Sequence, residues 1–508
     1  MLTLVKAVEI LKQHQLLTSL IVGDQRHYYV PAALVTTQYE HVAYDSRQVE
    51  PQTLFFCKGA TFNPRYAADA ITAGASALVT EHNLVADLPN TPAVQLLVTN
   101  VQKAMAVLTR EFYGNPDQAL TMIGFTGTKG KTTSVYFLRH MLQAVLGPKV
   151  AQLSSLANCI DGHTFEEAHL TTPESLDLYR LLRAAVDHGM TTLVMEVSSQ
   201  AYKKNRVYGL EFDYGVFLNI SPDHISPIEH PDFDDYLTCK SQLIKNSRQM
   251  IISRAIPEYD YLIELADTYG TPVLSFGSQD LDADYQYLPQ PHGYFDVATQ
   301  TAGSPVLSGR FRVMIPGFFN YENALAALIV ARHLSDDVDQ LAHGLAQTVV
   351  PGRMEILTND HGYIAVADYA HNYLSLTESF KFLKHEYPNG RLIVVIGAIG
   401  SKAQSRRQDV GRALSEYADV AMLTSEDNNG EDPNHILAEI KANLTNPTLE
   451  VHENLDRAAT IKAAFELAQP GDVIFMAAKG REDFMREGDH NVPYVGDYQL
   501  ASQLMREY

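Results

Sequence analysis

The sequence predicts an α/β protein of three domains, each built on a largely parallel or mixed sheet covered by helices. Three observations carry that expectation. Short apolar runs alternate with helical patterns along the whole chain, as in parallel sheets with helices packed on them. Several runs end directly in glycines or polar residues, where open α/β sheets keep their ligand sites. Two turn-rich breaks, "FYGNPDQAL" (112–120) and "TVVPGRMEIL" (348–357), place the domains at 1–115, 116–348 and 349–508.

Taken in order, the N-terminal "MLTLVKAVEILKQHQLL" sets Lys6, Glu9 and Lys12 among apolar residues. It predicts an amphipathic helix and not a secretion signal. In the central region "TMIGFTG" (121–127), "TTLVMEV" (191–197) and "YGVFLNI" (214–220) read as strands, and "TTSVYFLRHML" (132–142) as an amphipathic helix. Further on, "RLIVVIGAIG" (391–400), "ADVAMLTS" (418–425) and "GDVIFMAAKG" (471–480) repeat the strand pattern. No run approaches about 18 uncharged apolar residues, so no membrane insertion is expected. A formal charge of −21 argues against nucleic acid or an anionic membrane as partner. It leaves room for an anionic small substrate met by local basic loops. Cys57, Cys159 and Cys239 form no CxxC pair, which predicts neither a disulfide framework nor a zinc site and fits a reducing cytoplasm.

Between the first central strand and its helix lies "GFTGTKGKTTS" (124–134). This strand–loop–helix setting is that of a phosphate-binding loop, in which Thr126, Gly127, Thr128, Lys129, Gly130, Lys131 and Thr132 would cradle ATP. Gly127 and Gly130 let backbone N–H groups approach phosphate oxygens, and the helix N-terminus adds its partial positive charge. Lys131 can reach the terminal phosphates, and Thr132 can offer its hydroxyl to Mg2+. The usual spacing would put a glycine at 125, where Phe125 stands. A glycine-rich turn with an incidental lysine is the bland alternative.

Other positions have two readings. Glu196 and His224 fall at the ends of strand patterns, where together they would bind Mg2+ beside the γ-phosphate, with Asp223 in support. Each alone would be an ordinary polar residue. Lys240, in the helical "DDYLTCKSQLIKNS", reads by itself as a solvated surface lysine. Asn320 and Asn323 sit at a helix start, where asparagine is a good N-cap. Ser46 reads by itself as a turn serine.

The pattern G-x-T-G-T-x-G-K-T resembles that of the Mur ligases and folylpolyglutamate synthetases. The segments "YDSRQV" (44–49), "LTTPESLDLYRLL" (170–182), "YLTCKSQL" (236–243), "PGFFNYENALAA" (316–327), "PGRME" (351–355), "DYAHN" (368–372) and "AKGRED" (478–483) stand in that family's order. The resemblance covers essentially the whole chain. It is closest to the MurE branch and, on "FTGTKGKTT", "EVSSQAY" and "NISPDHISPIEHP", to its lysine-adding members. It implies a UDP-sugar-binding first domain, a P-loop ATPase-like central domain and a Rossmann-like C-terminal domain. The expected activity is ATP- and Mg2+-dependent addition of L-lysine to UDP-N-acetylmuramoyl-L-alanyl-D-glutamate through an acyl phosphate, in a cytoplasmic, monomeric enzyme of peptidoglycan precursor synthesis.

The resemblance also distributes roles. It makes Lys131, Lys240, His224 and Arg353 catalytic, with a carbamylated Lys240 joining Thr132, Glu196 and His224 around the metal. Asn320, Asn323, Asp368 and His371 would face ATP. Ser46, Thr171, Thr172, Ser198 and Arg206 would hold the UDP substrate, although Lys204 stands where the family often has Gln. Arg407 and Glu482 would take the α-carboxylate and α-amine of the acceptor. Glu426, Asp427, Asn428 and Asn429 form the loop that reads its side chain. Diaminopimelate-adding members carry D-N-P-R there and lysine-adding ones D-D-P-N or D-N-P-A, so "TSEDNNGEDP" (424–433) departs from both. Physically, Glu426, Asp427, Glu431 and Asp432 suit an ammonium and would repel a second carboxylate.

Three rivals remain in view. Ornithine or meso-diaminopimelate would change only the acceptor. A different Mur ligase, or a folylpolyglutamate synthetase, would keep the fold, although folate enzymes lack the first domain. A P-loop ATPase of another class would want an apolar strand ending in Asp, where this chain has "LVMEVSS".

Overall fold

The computed structural model describes every residue except 60, 61, 89, 90, 92, 227, 228 and 316. Three main sheets follow one another along the chain. The first is six-stranded, in the order Gln25–His27, Leu17–Val22, Val94–Val98, Ala75–Thr80, Thr53–Phe56, His41–Ala43. The expected N-terminal helix runs Leu4–Gln13 and buries Leu4, Ala7, Val8, Ile10 and Leu11, the three-and-four spacing of one helical face. The Thr3 hydroxyl caps it by accepting from Lys6 N at 3.1 Å.

Among the described residues the central sheet has eleven strands. At its heart β1 (Thr121–Thr126) lies between β2 (Thr192–Glu196) and β3 (Phe212–Phe217), all parallel. Side chains alternate between two cores. Ile123 and Phe125 pack with the helix α1 (Lys131–Leu146), while Met122 faces Leu178, Tyr179 and Tyr236 on the other side. Two more helices, α2 (Phe233–Lys245) and α3 (Phe319–Leu334), bring side chains to the loop between β1 and α1. Successive strands lie on either side of β1, which makes the end of β1 a switch point open to ligand.

The last sheet orders Glu355–Thr358, Ile364–Ala367, Val473–Met476, β4 (Leu392–Ile396), β5 (Val420–Leu423) and Glu450–Glu453, with only the first strand antiparallel. Helices α4 (Tyr373–Glu386) and α5 (Ser405–Tyr417) pack beside each other against it. The run "RLIVVIGAIG" is strand only as far as Ile396. A Cβ at Gly397 or Gly400 would collide with the backbone after β5, so the chain leaves the sheet there as a loop tightly seated on its neighbour. One apolar cluster runs from the central sheet into the C-terminal one, with Phe318 edge-on to Phe382 at 5.9 Å. Among the described residues no helix is long and apolar enough to cross a membrane.

Candidate active site

The site grows from the end of β1. Gly127 and Gly130 adopt φ of +151° and +84°, and a side chain at Gly130 would strike the Asn323 carboxamide of α3. The glycine N-cap gives α1 no side-chain cap, which leaves its first N–H groups for an anion. Asn219, just past β3, holds the loop. It accepts from Lys129 N (2.9 Å), donates to Lys129 O (3.1 Å), and its own carbonyl accepts from Thr128 N. The Tyr236 hydroxyl lies 3.1 Å from Thr128 Oγ1.

Three lysines converge on this loop. Lys131 Nζ donates to Gly127 O at 2.7 Å, and Lys240 Nζ, from α2, donates to the same oxygen at 2.8 Å. Lys129 Nζ lies 2.9 Å from His371 Nε2 and 3.5 Å from Asp223. The reading of Lys240 as a solvated surface lysine is therefore corrected: it is 2 % exposed. Burial drives the Lys129 ammonium down to about 7, with Asp223 partly opposing. It also lowers Lys131, and it holds Lys240 well below the usual lysine range with help from the Lys131 charge. His371 donates Nδ1–H to Tyr369 O (2.6 Å), and burial keeps the ring neutral and able to accept from Lys129. A cluster of amines whose burial disfavours their charge, and which a nearby anion would return to the charged form, is chemically matched to a polyphosphate.

Glu196 ends β2 beside it. Its Oε1 accepts from Thr132 Oγ1 (2.8 Å) and Ser155 N (2.7 Å), and its Oε2 from Ser155 Oγ (3.0 Å). A threonine hydroxyl and a carboxylate beside the phosphate loop are the hard oxygen donors that Mg2+ takes, so the residues present fit that ion. His224 sits in a left-handed turn (φ +58°), with Nδ1 2.8 Å from Glu229 and its ring 6.2 Å from Tyr236. Thr126 is buried, and Asn323 Nδ2 donates to Asn320 Oδ1 at 3.1 Å, which joins the two asparagines inside α3.

From the C-terminal side, Arg353 lies over the Tyr369 ring at 4.6 Å, and its charge acts on both Lys129 and Lys131. Asp368 turns its oxygens to backbone N–H groups of Met354 and Ala370, both at 2.6 Å. In this structure it organises the Arg353 loop rather than offering a free carboxylate.

On the opposite flank, Thr172 Oγ1 donates to Glu196 O (3.0 Å) and accepts from Ser198 N (3.1 Å), while Thr171 Oγ1 accepts from Ser155 Oγ (3.1 Å). Arg206 pairs with Glu174 at 2.9 Å, and Glu174 in turn meets Lys58 of the first sheet's region at 2.7 Å. Tyr44 donates to Asp177 at 2.6 Å, so the turn bearing Ser46 is tied to the same wall.

The residues expected to read the acceptor come after β5. Glu426 is half-buried, its Oε2 is buried with no hydrogen-bond partner among the described residues, and desolvation raises its carboxyl to about 7 against the pull of Arg457. It borders a cavity of about 450 Å³ also lined by Asn428, Arg457, Met485 and Tyr494. Asp427 accepts from Lys479 (2.9 Å), which also pairs with Glu482 (2.5 Å). Asn429 takes a left-handed φ of +46° and donates to Gly400 O at 3.2 Å. Arg407 is already bound by Glu431 and Glu439, both at 2.6 Å. It is held between Glu431 of the loop 424–433 and Glu439 of the helix Pro433–Ala442, with its Nε buried and without a hydrogen-bond partner among the described residues.

Sequence reasoning passed over Asn219, Ser155, Tyr236 and Arg406. Asn219 stands at a strand end in "LNISPD", the same signal that pointed to Glu196. The other three are joined to the site only by tertiary contacts.

Residues 125–331 match the family described as Mur ligase middle domain, and residues 352–480 match Mur ligase, glutamate ligase domain. The chain belongs to the Mur ligases. Within them it is 42 % identical to the UDP-N-acetylmuramoyl-L-alanyl-D-glutamate--L-lysine ligase of Enterococcus faecalis (strain ATCC 700802 / V583), over 98 % of this chain and 97 % of that one. It is 41 % identical to the UDP-N-acetylmuramyl-tripeptide synthetase of Lactobacillus acidophilus (strain ATCC 700396 / NCK56 / N2 / NCFM), over 98 % and 96 % of the two chains. A solved UDP-N-acetylmuramoyl-L-alanyl-D-glutamate--2,6-diaminopimelate ligase shares the fold, with a TM-score of 0.65 and 24 % identity over 94 % of this chain and 97 % of that one.

Proposed function

We propose that this protein is a cytoplasmic, ATP-dependent ligase that joins L-lysine to UDP-N-acetylmuramoyl-L-alanyl-D-glutamate, with residues 1–115, 116–348 and 349–508 serving the UDP substrate, ATP and the acceptor. The observation that carries the ATP-dependent step is the convergence of Lys129, Lys131 and Lys240 on Gly127 and its neighbours, beside the Thr132–Glu196 pair. The 42 % identity to a lysine-adding relative and the unpartnered Oε2 of Glu426 support the acceptor.

An amide cannot form readily from a carboxylate in water, so the carboxylate must first be activated. Here the phosphate loop would hold ATP while Lys131 and Arg353 stabilise the transferring phosphoryl group. The substrate carboxylate attacks the γ-phosphorus, ADP departs, and an acyl phosphate results. The acceptor amine then adds to the acyl carbon, and the tetrahedral adduct loses phosphate and a proton. Thr132, Glu196, His224 and a carbamylated Lys240 would hold Mg2+, which when bound neutralises phosphate charge. Lys240 suits carbamylation because a buried neutral amine is the form that adds CO2.

Phosphate release measured with ATP, Mg2+ and the UDP-dipeptide, with and without L-lysine, tests this reading. Turnover should require both organic substrates. Turnover indifferent to the UDP-dipeptide would refute it.

A further inference from the structure

Arg406 is the second residue of α5, on the acceptor side of the molecule. Its Nη2 nevertheless reaches Asp223 Oδ1 of the central region at 3.2 Å, across 183 residues of sequence. The same Oδ1 accepts from His224 N (2.9 Å), so Asp223 directly sets the left-handed turn that carries His224. The other oxygen accepts from Asn372 Nδ2 (3.2 Å), at the start of α4, and lies 3.5 Å from Lys129 of the phosphate loop. One carboxylate, 3 % exposed, thus gathers the phosphate loop and the first turns of α4 and α5.

The neighbouring Arg407 binds Glu431, the residue whose carboxylate also receives Ser401 N beside the acceptor loop. One helical turn therefore touches both halves of the reaction. Arg406 Nε is buried without a hydrogen-bond partner among the described residues, and its guanidinium bonds Asp223 through Nη2 while its charge also bears on Glu229 and Glu426. A bound triphosphate would compete with Asp223 for Lys129. Arg406 would then be the cation left to pair a buried carboxylate, with Asn372 donating a hydrogen bond to it, and such a carboxylate is costly to leave unpaired.

We propose that Arg406 is a positioning residue: acting through Asp223, it fixes the His224 turn against the phosphate loop and so couples seating of the acceptor-binding region to phosphoryl transfer. The proposal rests on the ligase reading of the site. It is tested with Arg406→Gln, Asp223→Asn, the double variant and Arg406→Lys, all in the full-length enzyme with every substrate saturating. ATP affinity is measured by calorimetry and folding by thermal melting.

Arg406→Gln should lower kcat by about 10- to 100-fold, the range for groups that orient a metal ligand, while the ATP Kd stays within about threefold. Arg406→Lys should fall between it and wild type. The double variant should be no slower than Asp223→Asn, because one residue works through the other. An unchanged kcat in Arg406→Gln, losses that multiply in the double variant, or a loss matched by weakened ATP binding would each overturn the proposal. Should the glutamine variant fail to fold, Arg406→Lys carries the test: its shorter point charge should cost at least about threefold in kcat, and none lost overturns the idea. A wild-type enzyme without UDP-dipeptide-dependent phosphate release would instead overturn the ligase reading, so the two failures are distinct.

Discussion

A buried amine such as Lys240 has reason to be neutral, because the hydrogen-bond acceptor it meets among the described residues is the carbonyl of Gly127 and the Lys131 charge lies close by. If it becomes a carbamate in the working enzyme, Lys240→Ala should lose nearly all turnover, and added short-chain carboxylic acids should restore part of it. Full activity in that variant would remove Lys240 from the mechanism. Lys131→Ala should cost at least about 100-fold in kcat, the scale of one preorganised charge on a transferring group, in a chain that still melts cooperatively. Glu426 makes a pH prediction. Its carboxyl is raised to about 7, so the folded state holds a proton that the unfolded state releases at lower pH. The stability from that proton is full below the ordinary carboxylate range and is lost as pH rises through about 7. Relative to Glu426→Gln, the wild type should lose roughly 3 kcal/mol between pH 4 and pH 8.5, read as a widening gap in denaturation midpoints, and L-lysine should narrow it. The burial of Lys240 was not legible in the sequence, because its partner lies 113 residues earlier and its helix pattern is ordinary.

At the scale of elements, the strands were legible for a simple reason. A strand covered on both faces is apolar throughout, so β1, β2, β4 and β5 read directly from runs such as "RLIVVIG". Their exit loops were legible as strand ends but not in conformation, because packing of one loop on another fixes it. The loop after β4 rests Gly400 against the Asn428 backbone so closely that any Cβ would collide. Gly400→Ala should therefore shift the acceptor loop, raising the acceptor KM at least about tenfold while leaving the ATP KM unchanged in steady-state kinetics. Equal effects on both would mean the loops do not act as a separate acceptor site. Arg407 has carboxylate partners that the sequence pattern did not show. The resemblance implies that it meets the acceptor carboxylate, and in the structure Glu431 of the loop 424–433 and Glu439 of the following helix hold it.

Across the whole molecule, the candidate site is made where separate sheets meet. Tyr44 and Lys58 bring the first region to Asp177 and Glu174, while His371, Asn372 and Arg406 bring the last region to Lys129 and Asp223. The three-sheet organisation could be read from composition breaks and periodicity, but these joints could not, since each pairs residues more than 100 positions apart. The central claim is that this assembled site uses ATP to join a cationic amino acid to a UDP-linked dipeptide. The most direct measurement is kcat/KM for L-lysine, L-ornithine and meso-diaminopimelate with ATP, Mg2+ and UDP-N-acetylmuramoyl-L-alanyl-D-glutamate, following phosphate release and product mass together. One phosphate per tripeptide is expected, with the order L-lysine, then ornithine, then diaminopimelate, because Glu426 leaves a buried, unpartnered carboxyl oxygen for an ammonium. A preference for diaminopimelate, or phosphate released without peptide product, would contradict it.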